Sequence, residues 1–418
     1  MRVALVNTNR YRQPPVVPVG LEYLVAPLRA AGHDVAAYDL CWSASPAEDL
    51  AGFIEESHPD VVGFTVRNID TTLFHGNTFF LDDIRALVDA VRAVSGCPVV
   101  VGGAATGCAE ESLAHYLGAD HVVIGPGEVA FPRLLDSISA GEAPRAVSGW
   151  SAGVIRDMIH PRGSLVDYAP YIERGDPVGL EYRKGCDWAC PFCTERSHPV
   201  LERDVTAVVA EARLLAGVGV RMFYFCDCEV NLDVEGTCRM LSALADADLG
   251  LEWSGYFRPT PFSGEVARLA AASGCSKLTV AATSWEISAG DGAYTARDVE
   301  SFVTTCREAG IAVAVDLLVG YPGEEESSVL RALELFAELR PATVGVGQFI
   351  RLYETTPFAG LARASGAGRF YGALEDNPGM IKPSFYTAID REWLEDLLKE
   401  NPLFTIAGEQ AGVNYQKT

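Results

Sequence analysis

The chain has 418 residues, of which 49% are hydrophobic and 21% charged, and this globular composition over that length predicts two or three domains. Its 33 Lys and Arg against 56 Asp and Glu give a net charge of −23, which argues against nucleic acid or an anionic membrane as the main partner; the charge either suits a cationic substrate or serves solubility alone. Because neither a secretion signal nor an uninterrupted apolar stretch of bilayer length is visible, we expect a cytoplasmic protein without membrane contact, whose 11 cysteines are thiols rather than disulfides.

The first 140 residues alternate short β-rich runs with helical patterns such as 20–31 and 82–94. The β-rich runs lie at 3–6, 35–38, 61–66, 99–101 and 122–124. This alternation predicts a doubly wound, Rossmann-like α/β domain over 1–140, with a parallel sheet covered on both faces. Ligands of such sheets bind beyond the carboxyl ends of the strands. The turns that contain Gly102, Gly103, Gly125 and Glu128 are therefore candidate binding elements.

Glycines and prolines interrupt the rhythm over 141–177, which we interpret as a linker, and a second alternation fills 178–350. Strands are predicted at 180–183, 222–225, 251–256, 278–282, 312–319 and 343–349, and helices at 205–216, 234–245, 264–272, 296–308 and 325–338. Six strand–helix units favour a partial β/α barrel whose active site lies at the strand carboxyl ends. Asp316 interrupts the apolar run of the fifth of these strands. Residues 351–418 are predicted to form a small cap.

Three cysteines follow the first barrel strand: Cys186, Cys190 and Cys193, spaced C-x3-C-x2-C. Three thiolates on one compact loop can hold three irons of a [4Fe–4S] cluster and leave the fourth iron open for chemistry. The alternative is a structural zinc site in which His198 supplies the fourth ligand, although zinc prefers paired C-x2-C knuckles. Cys226 and Cys228, near the next strand, are either further ligands or packing residues.

This loop, with Phe192 just before its last cysteine, resembles the signature of the radical SAM superfamily. In that family the open iron binds the amino and carboxylate groups of S-adenosylmethionine, and one electron releases methionine and a 5′-deoxyadenosyl radical. The resemblance implies S-adenosylmethionine as cofactor, an electron donor such as flavodoxin or ferredoxin, and Phe192 near the adenine.

Further fragments of the resemblance follow in chain order at the ends of barrel strands. They are 223–231 (FYFCDCEVN), 256–259 (YFRP), 283–286 (TSWE) and 320–324 (GYPGE). The resemblance implies that their polar residues hold S-adenosylmethionine: Asp227, Glu229, Asn231, Arg258, Ser284 and Glu286. The alternative for the first fragment is a turn followed by a helix cap.

The front domain resembles the cobalamin-binding domain of one large radical SAM subgroup, in segments 18–24 (PVGLEYL), 100–103 (VVGG) and 124–128 (IGPGE). The Asp-x-His-x-x-Gly motif of other cobalamin enzymes is absent, so a histidine ligand below the cobalt is not expected. Arg67, at a strand end, either lies under the corrin ring or makes an ordinary ion pair. The domain either binds cobalamin or binds nothing.

Three functions follow from these features. The first is a cobalamin-dependent C-methyltransferase of specialised metabolism, such as antibiotic biosynthesis, that uses the radical to activate a small-molecule substrate. The second is a cobalamin-independent dehydratase or deoxygenase acting on a cationic aminosugar, with ammonium groups bound by Glu354, Glu375 and Asp376. The third is a non-catalytic electron-transfer protein. By location, Tyr353, Glu354 and Tyr386 are candidate catalytic residues.

Overall fold

The computed structural model describes residues 1–150, 155–173, 175–290, 292–399 and 401–408. Its strands, in chain order, are β1 (Arg2–Asn7), β2 (Asp34–Asp39), β3 (Val61–Thr65), β4 (Val99–Gly102), β5 (His121–Ile124), β6 (Ala146–Ser148), β7 (Val178–Leu180), β8 (Arg183–Lys184), β9 (Leu201–Glu202), β10 (Met222–Phe225), β11 (Glu252–Tyr256), β12 (Cys275–Thr283), β13 (Ala312–Leu318), β14 (Thr343–Gly347), β15 (Ile350–Arg351), β16 (Arg369–Gly372), β17 (Ser384–Thr387) and β18 (Phe404–Ile406). Its α-helices are α1 (Val19–Ala30), α2 (Pro46–Ser57), α3 (Leu81–Val94), α4 (Thr106–Leu117), α5 (Gly127–Ala140), α6 (Ala169–Ile172), α7 (Val205–Gly217), α8 (Val234–Ala247), α9 (Gly264–Ala272), α10 (Ser284–Ala289), α11 (Ala296–Glu308), α12 (Glu326–Leu339), α13 (Phe358–Ala364) and α14 (Arg391–Leu398). Within these ranges no helix is long and apolar enough to cross a membrane.

The front domain is a parallel sheet in the order β2-β1-β3-β4-β5-β6, which confirms the predicted doubly wound architecture. Its strands are apolar along their length because helices cover both faces; Val3 to Val6 are all at most 1% exposed. The order reverses between β1 and β3, and in such sheets a crevice forms at the carboxyl ends of the strands that flank this point. The fold therefore places a binding crevice beside β1 and β3.

The second unit is a parallel sheet in the order β18-β14-β13-β12-β11-β10-β7, which confirms the predicted partial barrel. Its strand-to-helix turns end at side-chain caps: Asp204 accepts from the Thr206 N–H before α7, and Asp233 accepts from the Gly236 N–H before α8. Thr295 and Asp298 form a reciprocal capping box at the start of α11. These caps determine where each helix begins and so keep the turns above the strands short.

Two segments differ from their predicted roles. β6, in the region interpreted as a linker, adds a sixth strand to the front sheet, and α6 follows it. In the predicted cap, β15, β16 and β17 form a small antiparallel sheet, but β18 pairs with β14 and so extends the barrel sheet. Both added strands have three residues, too short to stand out from a single apolar run. The predicted boundaries at 140, 177 and 350 stay a prediction.

A buried ionic cluster joins the two units. The Arg162 guanidinium, in the segment between them, donates to Glu22 of α1 over 2.9 Å and to Glu211 of α7 over 2.7 Å. Glu211 also pairs with Arg203 at 2.5 Å and with His160 at 3.0 Å, and its side chain is fully buried. Burial alone would raise the pKa of Glu211, but the His160 hydrogen bond and the two guanidinium groups more than offset it and lower the pKa to about 2. The carboxylate is therefore ionised at neutral pH.

A second junction lies on the other side of the barrel. Asp70, just after β3, pairs with Arg351 of β15 at 2.9 Å, and both side chains are buried. The Phe74 ring stacks on the Phe349 ring at 3.9 Å between centroids. The loop between β3 and α3 thus reaches from the front domain to the open side of the barrel.

Candidate active site

The cysteine loop lies between β8 and β9, which pair antiparallel and close its base. Gly185 enters the loop with a φ of +82°, and a Cβ there would lie 2.3 Å from the Pro199 carbonyl oxygen, so this position requires glycine. The Cys193 N–H donates to the Cys190 carbonyl over 3.2 Å. Burial first, and neighbouring thiols second, raise the pKa of Cys190 to about 12. The loop is therefore a compact turn with partly shielded thiols.

The positions of the candidate ligands distinguish between a zinc site and an iron–sulfur cluster. Among the described residues, no three His, Cys, Asp or Glu side chains converge closely enough to hold a single metal ion. His198, the fourth ligand of the zinc alternative, instead stacks on the Trp150 ring at 4.2 Å. Three thiolates around an iron–sulfur cube each bind a different iron and do not need to meet at one point. The arrangement therefore suits a cluster better than zinc.

Asp227, Asn231 and Ser284 have their polar atoms occupied by neighbouring protein groups. The Asp227 carboxylate accepts from the backbone N–H groups of Tyr182 and Arg183 over 2.9 and 2.7 Å, and burial raises its pKa to about 7. Asn231 donates to the carbonyls of Arg258 and Pro261 and accepts from the Arg258 N–H over 2.7 Å. Ser284 donates to Glu324. These three residues position the loops around the site, and their predicted contacts with S-adenosylmethionine stay predictions.

Glu229 and Arg258 present open polar atoms beside the cysteine loop. Within the described part of the chain, Glu229 Oε2 and Arg258 Nε are buried without a hydrogen-bond partner. Burial raises the pKa of Glu229 to about 8, although the Arg258 charge opposes this. The Arg258 guanidinium donates to Asp187, lies 3.8 Å from Cys186 Sγ and stacks over the Trp188 ring at 4.3 Å. A buried acceptor and a buried donor are thus available to a ligand.

An aromatic wall adjoins the loop on the barrel side. The Phe192 ring meets the Trp285 ring edge-on at 5.9 Å, and Trp285 stacks on Tyr321 at 4.7 Å. Glu286, next in the chain, accepts from Thr283 over 2.8 Å and acts electrostatically on Cys190. The wall offers flat apolar surface at the place where the resemblance implies an adenine.

The interdomain cavity, as we call it, has a volume of about 450 Å³ and lies between the front sheet edge and the barrel. Eight of its lining residues are glycines: Gly20, Gly63, Gly102, Gly103, Gly107, Gly125, Gly127 and Gly185. The predicted Glu128 lines it too, as do Glu195, Cys226 and Cys228 on the barrel side. The cysteine loop therefore forms part of its wall.

Lys184 lines this cavity, whereas Arg67 does not. The Lys184 ammonium lies 3.1 Å from Glu128 of the front domain and 2.5 Å from Glu181 of the barrel, so a buried cation ties the two walls together. Arg67 is exposed and lines a small neighbouring pocket with Asn9. The Arg67 charge acts to lower the pKa of Cys226, but the larger effect of burial raises that pKa overall. The predicted position of Arg67 below a corrin ring stays a prediction.

The lumen cavity, a second space of about 410 Å³, lies inside the barrel. Asp316 and Leu318 of β13 and Gly345 and Gly347 of β14 form one wall. Residues 405–408, in β18 and just after it, extend this wall beyond β14, and the front-domain loop at 71–76 forms another side. The loop that links the domains thus closes the open side of the barrel over this cavity.

The candidate catalytic residues lie apart from both cavities. Tyr386 is fully buried and its hydroxyl donates to the Ala367 carbonyl over 2.9 Å, which is a packing arrangement. Tyr353 is buried against the Arg351 guanidinium, 4.8 Å from its ring. Glu354 is exposed, as are Glu375 and Asp376, of which Asp376 lines an outer groove beside α4. Their predicted roles stay predictions, and the geometry does not bring them together.

The sequence analysis overlooked Tyr224, Tyr256 and Lys184, and it noted Asp316 merely as an interruption. A usable signal existed for Asp316, because a single acid in an otherwise apolar strand must face a polar space or a partner. Tyr224 and Tyr256 alternate with core residues on β10 and β11, which places them on the lumen face. Lys184 gave no such signal, since its partner Glu128 lies in the other domain.

Two family models match the chain. Residues 9–135 match the B12 binding domain, and residues 180–336 match the Radical SAM superfamily. A tryptophan 2-C-methyltransferase of Streptomyces laurentii is 27% identical over 87% of this chain and 74% of its own length.

Solved structures extend the similarity over both domains. The radical S-adenosylmethionine methyltransferase TsrM from Kitasatospora setae, with tryptophan substrate and a SAM analogue bound, is 25% identical over 93% of this chain and 86% of that chain, with a TM-score of 0.79. The same enzyme with cobalamin and a [4Fe–4S] cluster bound gives a TM-score of 0.83 at 24% identity, over 97% of this chain and 92% of that one. The two chains share a fold along nearly their whole length.

Proposed function

Because the chain belongs to the radical SAM superfamily and carries an N-terminal B12-binding domain, we propose that it is a cobalamin-dependent methyltransferase that transfers a methyl group from S-adenosylmethionine to a carbon atom of a small aromatic molecule. The observation that carries the proposal is the shared wall of the two cofactor sites. Glu195 and His198 of the cysteine loop, with Cys228, line the same cavity as the front-domain glycines. A methyl carrier and a methyl donor bound there would face one another.

The residues beside the loop fit an iron–sulfur cluster with S-adenosylmethionine. Cys186, Cys190 and Cys193 would each hold one iron. The open Glu229 oxygen would accept from the ammonium of the methionine part, and the Arg258 N–H would donate to a carboxylate. Burial strengthens both contacts, because water does not compete for them.

The glycine rim fits a corrinoid. A flat macrocycle with a nucleotide tail needs backbone at close range, and side chains on the rim would prevent that approach. Gly20 has no heavy atom within 4 Å of the place where its Cβ would lie, so the cavity side of α1 is open. Lys184 and Glu128 add polar groups that can meet amide side chains of the ring.

When bound, the cluster supplies the electron that cleaves S-adenosylmethionine, and the corrinoid carries the methyl group. The chain's own residues bind, orient and exclude water. The Trp285 and Tyr321 stack shields the loop on the barrel side, and the loop at 71–76 covers the lumen. Methyl transfer without a radical balances as S-adenosylmethionine plus substrate C–H giving S-adenosylhomocysteine, methylated substrate and a proton. The radical route would consume a second S-adenosylmethionine and two electrons from the electron donor, and it would give methionine and 5′-deoxyadenosine in place of the proton.

Tryptophan is the first substrate to test, because the relatives named above act on it or bind it. We propose a cytoplasmic location, since the 11 cysteines form no disulfide among the described residues and a reducing compartment keeps them so. We also propose a low-potential electron donor such as flavodoxin or ferredoxin. A role in specialised metabolism, such as antibiotic biosynthesis, is part of this proposal. No feature of the described residues favours the dehydratase or the electron-transfer alternative over methyl transfer.

The test is anaerobic reconstitution with iron, sulfide and hydroxocobalamin, followed by incubation with trideuteromethyl-labelled S-adenosylmethionine, a reductant and tryptophan. We expect retained corrinoid, S-adenosylhomocysteine and trideuteromethylated tryptophan by mass spectrometry; 5′-deoxyadenosine would report the radical route. Retained corrinoid and S-adenosylhomocysteine without a tryptophan product would keep methyl transfer and reject tryptophan. Absence of both corrinoid and S-adenosylhomocysteine would reject the function.

A further inference from the structure

Asp316 lies on β13 and faces the lumen, and the residues beside it on the two neighbouring strands are small. In the sheet register it pairs with Ala281 of β12 on one side and with Gly345 of β14 on the other. A Cβ added to Gly345 would lie 3.6 Å from Asp316 Oδ1, in ordinary contact, so the glycine leaves that oxygen uncovered. The two small neighbours therefore open space around a carboxylate inside the barrel.

A tyrosine holds the other oxygen of this carboxylate. Tyr256, at the end of β11, donates its hydroxyl to Asp316 Oδ2. Because β12 lies between β11 and β13, this contact spans the lumen face of the sheet above the small Ala281. The hydrogen bond sets the orientation of the carboxylate and leaves Oδ1 directed at the cavity side of Gly345.

An aromatic surface continues from this pair. The Tyr224 ring meets the Tyr256 ring edge-on, with 6.4 Å between centroids and 83° between planes. The adjoining lumen cavity of about 410 Å³ lies within the range that encloses small organic ligands. The carboxylate, the edge of the tyrosine ring and the cavity together suit a ligand that has a flat ring system and a positively charged side chain.

The electrostatics favour a cation at this place. Shielding from bulk water raises the pKa of Asp316, while the Tyr256 hydroxyl and the Lys277 ammonium on β12 lower it. Lys277 is exposed, so water weakens its pairing with the carboxylate. Asp316 is exposed to the lumen and makes one hydrogen bond among the described residues, so its carboxylate can accept another from a ligand that brings its own positive charge.

The position lies between the two proposed cofactor sites. Glu229 acts electrostatically on Tyr224 and Tyr256 and also on Cys190 and Cys193. Cys226, two residues after Tyr224, lines the interdomain cavity. A ligand against the two tyrosines would therefore lie beside both the methyl donor and the methyl carrier.

We propose that Asp316, oriented by Tyr256, binds the protonated amino group of the substrate, so that the substrate class is a flat aromatic ring system carrying an ammonium group. This inference rests on the proposed methyl transfer and narrows its substrate. Asp316 touches the substrate and sets specificity, whereas Tyr256 is a positioning residue. A neutral analogue of the same shape leaves the carboxylate unpaired and is discriminated against.

The experiment compares tryptamine with tryptophol, in which a hydroxyl replaces the amino group. Binding to the reconstituted holoprotein is measured by titration calorimetry. We expect tryptamine to bind at least about tenfold more tightly, since its ammonium group gives the carboxylate a charge-assisted hydrogen bond that the tryptophol hydroxyl does not. Asp316→Asn should abolish this preference, and Tyr256→Phe should weaken it by a smaller factor.

The matched control is Glu334→Gln, which removes one exposed carboxylate on α12, outside both cavities, and should keep the full preference. Formation of methylcobalamin from S-adenosylmethionine, followed by absorbance, should be unchanged in Glu334→Gln. Equal affinities for the two probes, no binding of tryptamine to the wild type, or an undiminished preference in Asp316→Asn would each overturn the inference. Lack of methylcobalamin in the wild type would overturn the proposed function instead.

Discussion

The interdomain cavity and the lumen cavity have similar volumes, about 450 and 410 Å³, but are built from different material. The first is rimmed by glycine backbone at the carboxyl ends of β3, β4 and β5. The second lies against barrel strands β13, β14 and β18, and Asp316 of β13 adds a carboxylate to its lining. The first cavity therefore offers backbone for close contact with a large ligand, and the second offers a charged group for a small one.

The difference follows from the size of what each cavity would hold. A large flat cofactor gains its affinity from contact area, so its site needs backbone at close range and few protruding groups. A small substrate has little area to offer, so its site needs a few polar groups with fixed orientation. Substitutions in the interdomain cavity should therefore weaken cofactor binding by filling space. Substitutions in the lumen cavity should weaken substrate binding by removing a polar group that contacts the substrate.

The largest expected effect separates the two sites completely. Cys190→Ala should abolish the cluster and all turnover of S-adenosylmethionine, because a cube held by two thiolates on this loop is not retained. Corrinoid binding should survive, since Cys190 does not line the interdomain cavity. Iron analysis, visible absorbance and retained corrinoid measure the two outcomes on one sample.

Cys238→Ala, on α8, is the matched control and should keep iron, corrinoid and turnover. Loss of corrinoid together with iron in Cys190→Ala would mean that the two cavities are not independent. Retention of iron in the triple alanine variant of the loop would reject the cluster assignment.

A smaller effect is expected from filling the first cavity. Gly20→Trp places a side chain where the glycine faces open space in the cavity, and should weaken corrinoid binding about ten- to a hundredfold, as overpacking costs about 1–3 kcal/mol. Iron content should not change. Gly52→Trp is the control, because Gly52 of α2 also faces open space but lies outside the cavity. Unaltered corrinoid affinity in Gly20→Trp would place the corrinoid elsewhere.

The last prediction concerns protein stability rather than ligand binding, at the junction that keeps the two cavities together. Glu211→Gln should lower the free energy of unfolding at pH 7 by about 3–5 kcal/mol, because it leaves Arg162 and Arg203 buried without their carboxylate. Its folded pKa of about 2 lies below the unfolded value near 4.5, so the stabilisation is complete above pH 4.5 and is lost as the pH falls towards 2. The difference between wild type and variant should shrink by about 1 kcal/mol at pH 4.

Urea unfolding at pH 7 and pH 4 measures both values, with Glu334→Gln as a control that should match the wild type. Equal stabilities of wild type and Glu211→Gln at pH 7 would show that the junction does not hold the domains. A difference independent of pH would assign the effect to packing rather than charge.

Most elements could be predicted, because their signals are local. The predicted helices 205–216, 264–272 and 296–308 agree with α7, α9 and α11 to within a residue. The cysteine loop was equally accessible, since its three thiols lie within eight residues of sequence. β6 and β18 were missed because three-residue strands derive their identity from the neighbour with which they pair.

The candidate site divides in the same way. Glycine turns and the cysteine spacing are visible in the sequence. Gly102, Gly103, Gly125 and Glu128, which were predicted to bind a cofactor, line the interdomain cavity, and their binding role stays a prediction. Tyr353, Glu354 and Tyr386 were selected by closeness in sequence to the barrel's end, and the fold turns Tyr386 into the packing between small strands.

The sequence by itself determined the two parallel-sheet domains, the thiol loop and the glycine edge, because each is encoded by residues that are near one another in the chain. The tertiary structure alone decided that Lys184 meets Glu128, that Tyr256 reaches Asp316 across a strand, and that the loop at 71–76 closes the barrel. Such contacts join residues far apart in sequence, and their energy depends on burial that exists only after the domains have packed.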